Sequence, residues 1–174
     1  MNFQAVERIN TPDLPIPGAE PWFAGSDDPA IGVMTDFRER TSITVMESAT
    51  IDAALEHMKH TGVRCAFVID DERRVVVGLI TAYDVLSEKP MCYMQAVKSS
   101  RQEVLVRDIM QPIAEWRVAD VRQIEQATVG SMYQWFEKSG LTHLPVMETA
   151  RNGQQRLRGL LSAAKIRRLL GRRP

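Results

Sequence analysis

The sequence predicts an α+β protein made of two pseudo-symmetric copies of a strand–helix–strand–strand–helix unit, stacked through their sheets. The first observation is an internal repeat, in which residues 50–70 align without a gap on residues 128–148. The second is a matched pair of later segments, GLITAYDVL at 78–86 and GLLSAAKIR at 159–167. One unit of roughly sixty residues has a small core and an exposed sheet face, and stacking two units buries both faces.

Each unit opens with a lead-in segment. IGVMTD (31–36) resembles VRDIMQP (106–112), and ITVMES (43–48) and VRQIEQ (121–126) both precede the aligned blocks. We expect these segments to be equivalent in the two copies, so that each unit opens on a strand.

The apolar spacing in the aligned blocks predicts the first helix of each unit. Thr50 and Thr128 are suited to begin these helices, because a threonine hydroxyl can accept a hydrogen bond from a free amide there. Gly62 and Gly140 are placed to end them in the left-handed conformation. The matched apolar positions are Ile51, Leu55 and Met58 in the first copy and Val129, Tyr133 and Phe136 in the second.

Two strands and a final helix complete each predicted unit. The first strands are CAFVI (65–69) and HLPVM (143–147). Polar turns separate them from the second strands, VVVGLI (75–80) and RLRGLL (156–161), which lead into the final helices.

These elements predict five parts along the chain. They are an extended N-terminal arm at 1–28, a first repeat at 29–87, a partly helical connecting segment at 88–105, a second repeat at 106–171 and a basic tail at 172–174.

The charges are segregated although their sum is zero. Up to Asp36 the only basic residue is Arg8, and from Arg151 onward there is no acidic residue. One interpretation is that the acidic N-terminal and basic C-terminal segments are both solvated and attract each other weakly. The other is that the basic C-terminal segment binds an anionic partner. A neutral chain is a poor general nucleic-acid binder, so we do not favour a nucleic-acid partner.

Several broad classes lack their sequence signals. No apolar run approaches the roughly 20 residues of a membrane span, and the N-terminal residues lack the pattern of a signal peptide, so a cytoplasmic location and no membrane partner are predicted. There is no Walker-type phosphate loop, no G-x-S-x-G elbow and no two-histidine zinc helix. Cys65 occupies a strand position that indicates burial rather than activation. We therefore predict neither an enzyme nor a metal site.

One short motif has both a structural and a functional interpretation. Thr81 falls where a strand ends and a helix begins, and Asp84 lies three residues later. Together they can form a capping box, in which each side chain bonds a free backbone amide at the helix start. This role needs no ligand, and loss of such a cap costs about 0.5–2 kcal/mol.

The ordered set of motifs, found twice at matched spacing, resembles a family. Tandem units that open with an IM or VM dipeptide, carry a G-x-x-PV-like strand and close on G-h-h-T/S-x-x-D are similar to cystathionine β-synthase (CBS) domains. The resemblance covers about residues 31–170. It implies a CBS-domain pair, or Bateman module, of the free-standing bacterial type, with two clefts between the repeats.

The resemblance also implies a ligand site in the first copy. The clefts of the family often hold AMP, ADP, ATP or S-adenosylmethionine, and the acid that matches Asp84 accepts hydrogen bonds from both ribose hydroxyls. A carboxylate suits a vicinal diol because it offers two acceptors side by side. The matched positions imply that Thr81 contacts ribose or phosphate and that Leu79 and Tyr83 contact the base. They also imply that Thr44, Arg64 and Ala66 frame the base and phosphates.

The second copy departs from this pattern. Ser162 keeps the hydroxyl, but Lys165 replaces the acid and cannot accept a hydrogen bond from a diol. Lys165 either carries its amine out to water or meets a phosphate at the helix start. His143 matches a position that often carries a phosphate-contacting basic residue in the family. We expect the two clefts to be unequal, with the second one vacant or altered.

These inferences predict a non-catalytic regulatory or energy-sensing module that binds an adenosine-containing ligand and needs no other cofactor. The resemblance implies a homodimer that regulates a separate protein, which the sequence does not identify. Two alternatives stay open. One is a ligand-free structural or dimerisation module, and the other is a nucleic-acid binder that uses the basic C-terminal helix, KIRRLLGRR at 165–173.

Overall fold

The computed structural model describes residue 21, residues 23–150 and residues 152–171. The strands are β1 Thr35–Asp36, β2 Thr44–Met46, β3 Cys65–Ile69, β4 Val76–Thr81, β5 Gln111–Pro112, β6 Ala119–Asp120, β7 His143–Thr149 and β8 Gln155–Ser162. The α-helices are α1 Ile51–His60, α2 Ala82–Leu86, α3 Lys89–Val97, α4 Val106–Ile109, α5 Val121–Gln126, α6 Val129–Ser139 and α7 Ala163–Leu170. Short 3-10 helices lie at Ala30–Val33, Arg101–Glu103 and Ile113–Glu115.

The strands form two four-stranded sheets, which confirms the predicted α+β class with two related units. Their orders are β2-β3-β4-β5 and β1-β8-β7-β6. Each sheet centres on an antiparallel hairpin, β3–β4 in the first and β7–β8 in the second. A strand that precedes the long helix pairs in parallel with each hairpin, β2 with β3 and β6 with β7.

The fourth strand of each sheet comes from the lead-in of the other half of the chain. β1 pairs antiparallel with β8, so that Thr35 lies opposite Leu160. β5 pairs antiparallel with β4, so that Gln111 lies opposite Leu79. The lead-ins therefore cross over, and each half of the chain completes the sheet of the other half.

Two glycines allow these crossed strands to approach. A Cβ atom on Gly159 would lie 2.6 Å from the backbone oxygen of Thr35, and one on Gly78 would lie 2.9 Å from that of Gln111. Contacts under 3.0 Å are essentially never seen for real Cβ atoms, so backbone would have to move. The glycine that opens both GLITAYDVL and GLLSAAKIR thus has a steric reason in the exchanged strands.

Each unit has its own hydrophobic core, and a third cluster joins the two sheets. In the third cluster Cys65, Phe67 and Leu79 from the first sheet meet Leu157 and Leu160 from the second. The Phe67 ring also packs edge-on against Phe37, with ring centroids 5.5 Å apart. The predicted stacking of the units through their sheets is confirmed by this cluster.

The long helices begin and end where the repeat predicts. The Thr50 hydroxyl accepts a hydrogen bond from the amide of Ala53 at 3.3 Å, and the Thr128 hydroxyl accepts one from the amide of Ser131 at 3.2 Å. Gly62 and Gly140 have φ values of 69° and 68°, in the left-handed region that glycine adopts without steric cost. Within the described ranges, no helix combines the length and apolar character needed to cross a bilayer.

The predicted equivalence of ITVMES and VRQIEQ is wrong. ITVMES contains β2, whereas VRQIEQ forms the helix α5. Asp120 explains the difference, because its carboxylate accepts a hydrogen bond from the amide of Arg122 at 2.9 Å and so caps a helix start. The parallel strand of the second unit is instead the two-residue β6, which precedes α5.

The C-terminal helix α7 is anchored on the second unit by its apolar face. Ile166 and Leu169 are buried in the second core. The amide of Ala24 donates to the backbone oxygen of Leu169 at 3.2 Å, so the end of the predicted arm contacts this helix. Most of the arm, residues 1–20, and the tail at 172–174 lie outside the described residues.

Candidate ligand site at the boundary between the units

The candidate site is built around the junction of β4 and α2. The buried Thr81 is the last residue of β4 and the N-cap of α2. Its hydroxyl accepts a hydrogen bond from the amide of Asp84 at 3.1 Å, and its own amide donates to Asp84 Oδ2 at 2.9 Å. The predicted capping box is therefore present, and it fixes where the carboxylate of Asp84 lies.

The two oxygens of this carboxylate have different partners. Oδ2 belongs to the cap, since the Thr81 hydroxyl also donates to it at 2.7 Å. Oδ1 pairs with the ammonium of Lys89, the first residue of α3. The Asp84 side chain is 16% exposed and that of Lys89 is 50% exposed. One oxygen is thus committed to the helix start, and the other can meet groups from outside α2.

The junction lies where the two units meet. On the first hairpin Cys65 is the neighbour of Thr81, and on the second hairpin His143 is the neighbour of Ser162. Tyr83, the neighbour of Asp84 in the chain, lines a pocket together with His143 and Ser162 of the second unit, whereas Asp84 and Thr81 are not among the residues that line it. The junction therefore adjoins a pocket that residues of both units line.

Desolvation changes the acid–base behaviour of Cys65, which is buried, and of His143, which is half-buried. Burial raises the pKa of the Cys65 thiol far above its ordinary value, and the negative charge of Asp84 raises it further. Cys65 is therefore a neutral thiol and not an activated nucleophile. Burial lowers the pKa of His143 to about 4, against a smaller opposite effect of Asp84, so the imidazole is neutral at pH 7.

The low pKa of His143 predicts a pH-dependent stability. The unfolded histidine binds a proton near its ordinary pKa of about 6.5, whereas the folded one resists until about pH 4, so stability falls as the pH falls through this window. Between pH 7.5 and pH 5 we expect His143 to account for a loss of about 1–2 kcal/mol. The measurement is urea unfolding of the wild type and His143→Gln at both pH values.

The matched control for this prediction is His57→Gln, because His57 is an exposed histidine on α1. The stability advantage of the wild type over His143→Gln should shrink at pH 5, while the difference between the wild type and His57→Gln stays constant. An advantage over His143→Gln that is the same at both pH values would contradict the lowered pKa of His143.

A pocket of about 160 Å³ joins the units beside this junction. Two cationic residues, Arg64 and Arg167, and two hydroxyl residues, Thr142 and Ser162, are among those that line it. Arg167 also donates to Glu137 at 2.8 Å, which holds its head group between α6 and α7. Two cations and two hydroxyls around one small pocket are suited to an anionic group. The full lining is Arg64, Tyr83, Thr142, His143, Ser162, Ala163, Ala164 and Arg167.

The corresponding junction in the second unit differs. The Ser162 hydroxyl accepts a hydrogen bond from the amide of Lys165 at 3.5 Å, so it still caps α7. Lys165 takes the position of Asp84 and is half-buried. The second junction thus offers a cation where the first offers a carboxylate.

The other predicted site residues lie at different depths. Arg64 and Tyr83 line the pocket between the units, and Thr44 is exposed at the start of β2. Leu79 is buried in the cluster between the sheets, and Ala66 is fully buried in the core of the first unit. Side-chain contact of a ligand with Ala66 would require that core to open, so Ala66 could act there only through its backbone.

A second, larger groove of about 470 Å³ lies between α1 and α2 of the first unit. Its apolar walls include Leu55, Met58 and Leu86, and the Leu86 side chain is 69% exposed. Lys59 and Arg64 place two cations on this groove.

Sequence reasoning did not identify Lys89 as part of the site. The residue lies beyond the end of α2, at the start of α3, so no helical spacing relates it to Asp84. Lys89 follows Asp84 by five residues, a separation that matches no capping pattern. Among the described residues, no group of three or more His, Cys, Asp or Glu side chains is arranged to hold a metal ion.

Comparisons with known proteins agree with this architecture. Residues 33–90 match the model of the CBS domain family. No curated protein sequence matches the chain. Among solved structures, a CBS-domain-containing protein from Agrobacterium tumefaciens is 17% identical, with a TM-score of 0.55, over 81% of this chain and 91% of that one.

Two further structures extend the comparison. The CBS-pair protein CBSX2 of Arabidopsis thaliana, in its complex with AMP, is 22% identical with a TM-score of 0.52 over 82% of this chain and 94% of that one. GMP reductase from Trypanosoma brucei is 18% identical with a TM-score of 0.52, over 79% of this chain but 26% of that enzyme. At these identities the likeness is one of fold.

Proposed function

We propose that the protein is a non-catalytic sensor of an adenosine-containing ligand, because residues 33–90 match the CBS domain model and the described chain has the fold of a CBS-domain pair. The ligand is AMP, ADP, ATP or S-adenosylmethionine, bound at the boundary between the units. Its binding regulates a separate protein, and two copies of the chain form the working module. Ligand binding and regulation of the partner protein take place in the cytoplasm.

The observation that carries this proposal is the placement of Asp84. Its side chain is largely buried and is oriented by the cap of α2, and the adjacent Tyr83 lines a pocket with His143 of the other unit. A buried, fixed carboxylate at a cleft is suited to a ribose diol, and such charge-assisted hydrogen bonds are worth about 1.5–3 kcal/mol.

The pocket beside Asp84 supports a phosphate end for the ligand. Arg64 and Arg167 supply positive charge there, and Ser162 supplies a hydroxyl next to the start of α7. The structure of CBSX2 with AMP supports an adenine nucleotide as the first ligand to test.

We assign the remaining roles by position. Asp84 and Thr81 take the ribose, and Leu79 and Tyr83 contact the base. Arg64 takes a phosphate, while Thr44 and Ala66 frame the base, Ala66 through its backbone. Ser162, Lys165 and His143 belong to the second cleft, which binds no ribose because it lacks an acid. Ser162 and His143 also line the pocket that Arg64 and Tyr83 line, so the two clefts meet there.

Removal of the Asp84 carboxylate is expected to weaken nucleotide binding. In Asp84→Ala, affinity for the nucleotide that binds the wild type should fall about ten- to a hundredfold, which corresponds to a loss of 1.5–3 kcal/mol. The measurement is titration calorimetry of both proteins with AMP, ADP, ATP and S-adenosylmethionine.

The matched control is Glu103→Ala. Glu103 forms the same kind of box, with Ser100 donating to its carboxylate from both amide and hydroxyl at 2.8 Å. The substitution therefore removes a comparable local bond at a different place, and nucleotide affinity should not change. Equal affinities of Asp84→Ala and the wild type would overturn the assigned ribose contact.

A ligand-free structural module is the second candidate, and one observation favours it. Thr81, Asp84 and Lys89 satisfy one another's polar groups without any ligand. This candidate predicts no heat of binding with any of the four compounds, together with a lower melting temperature for Asp84→Ala because its cap is lost.

A further inference from the structure

We propose that Lys89 competes with the ribose for Asp84 and thereby couples occupation of the site to helix α3. This inference rests on the proposed function and adds a mechanism of regulation to it. Lys89 and Asp84 form an ion pair that links α3 directly to the carboxylate of the candidate site.

The geometry at Asp84 leaves few acceptor positions for a diol. Oδ2 already accepts from the amide and the hydroxyl of Thr81, at 2.9 Å and 2.7 Å. A carboxylate oxygen has about two lone pairs, so Oδ2 is saturated by the cap. Oδ1 must therefore receive the ribose hydroxyls, and the ammonium of Lys89 already donates a hydrogen bond to that oxygen. A diol that takes both acceptor positions of Oδ1 has to displace the amine.

Displacement of the Lys89 amine from Asp84 has a small free-energy cost. The Lys89 side chain is half exposed, so its amine can move to water on its flexible stem. Exposed ion pairs stabilise only weakly, and the partly buried Asp84 makes this pair stronger than a fully exposed one. The pair is thus strong enough to oppose binding and too weak to prevent it.

Release of Lys89 would loosen the start of α3. The backbone of the connection is short, since Ser87 lies between the two helices and its hydroxyl bonds both the backbone oxygen of Asp84 and the amide of Lys89. Beyond this start, α3 packs on the first core through Pro90, Tyr93 and Met94. Met91 on the same helix is 52% exposed. Occupation of the site therefore changes how firmly a helix with an exposed apolar side chain is held.

The test uses the full chain with Lys89→Met, which removes the amine and keeps much of the stem. Lys138→Met, at an exposed lysine of α6, is the matched control. Calorimetry with adenosine avoids long-range attraction between lysine and phosphate. We expect adenosine to bind Lys89→Met about three- to tenfold more tightly than the wild type. Lys138→Met should match the wild type.

A ligand without the diol tests the chemistry of the competition. The affinity for 2′,3′-dideoxyadenosine should be the same in Lys89→Met and the wild type, because this compound has no hydroxyls to compete for Oδ1. Amide hydrogen exchange over residues 89–97 should be faster in unliganded Lys89→Met than in the unliganded wild type. Saturating adenosine should raise the wild-type exchange rates towards those of the variant.

The outcomes separate this inference from the proposed function. Measurable wild-type binding of adenosine that is unchanged or weaker in Lys89→Met overturns the competition and leaves the sensor proposal standing. An equal gain in affinity for adenosine and its dideoxy analogue also overturns it, because the diol would then play no part. Absence of binding of adenosine and of all four larger compounds to both proteins overturns the proposed function itself.

Discussion

Replacement of Gly159 by alanine is expected to lower the free energy of unfolding by about 2–4 kcal/mol. The new Cβ would lie 2.6 Å from the backbone oxygen of Thr35, and relief of this contact requires β1 to move away from β8. Met34 adds to the crowding, because its sulfur would lie 2.6 Å from the same Cβ. The loss is to be measured by urea unfolding monitored by circular dichroism.

Gly32→Ala is the control for this prediction. Gly32 has open space around its Cβ position and needs no left-handed backbone, so its substitution should change the free energy of unfolding by less than about 1 kcal/mol. Gly78→Ala should destabilise as Gly159→Ala does, since its Cβ would meet the backbone oxygen of Gln111 at 2.9 Å. Equal stabilities of Gly159→Ala and Gly32→Ala would show that the crossed strands are not closely packed.

Phe136→Ala is expected to cost about 3–5 kcal/mol, the range for removal of a buried phenylalanine. Phe136 is 1% exposed in the core of the second unit, and its ring packs edge-on against Trp135 with centroids 5.2 Å apart. The substitution loses the transfer free energy of the ring and leaves a cavity that the surrounding helices can fill only in part. The loss is measured by urea unfolding, with the same dependence of the free energy of unfolding on urea concentration in both proteins.

The same substitution at an exposed phenylalanine tests whether the loss of stability comes from the burial of the ring and not merely from replacing a phenylalanine. Phe23 is 56% exposed, so Phe23→Ala should unfold at nearly the same urea concentration as the wild type. A cost of less than about 1 kcal/mol for Phe136→Ala would mean that α6 packs much more loosely on its sheet than the structure has it.

The repeat made the regular elements predictable because it combines local signals with matched spacing. Thr50 and Thr128 cap their helices, and Gly62 and Gly140 end them in the left-handed region, as the aligned blocks predict. The Thr81–Asp84 capping box is equally local, since its bonds span three residues. Hydrogen bonds between residues this close in the chain can be predicted from a single sequence.

Long-range pairing left no such trace. Nothing in IGVMTD or VRDIMQP states that its strand joins the sheet of the other half, because a two-residue strand carries almost no alternation. The ion pair of Asp84 with Lys89 depends on how α3 turns back after α2, which is a tertiary property. The pocket that Tyr83 and His143 both line likewise depends on the stacking of the units and not on their separate sequences.

The crossed lead-in strands constrain how such a chain could have arisen by duplication. A solitary ancestral unit would have had an unpaired sheet edge beside its antiparallel hairpin and a lead-in strand with no sheet of its own to join. Two identical molecules could satisfy both needs by trading that strand reciprocally. Fusion of the two genes would then preserve the trade within one polypeptide, and later divergence could place an acid at 84 and a base at 165 without disturbing the shared framework.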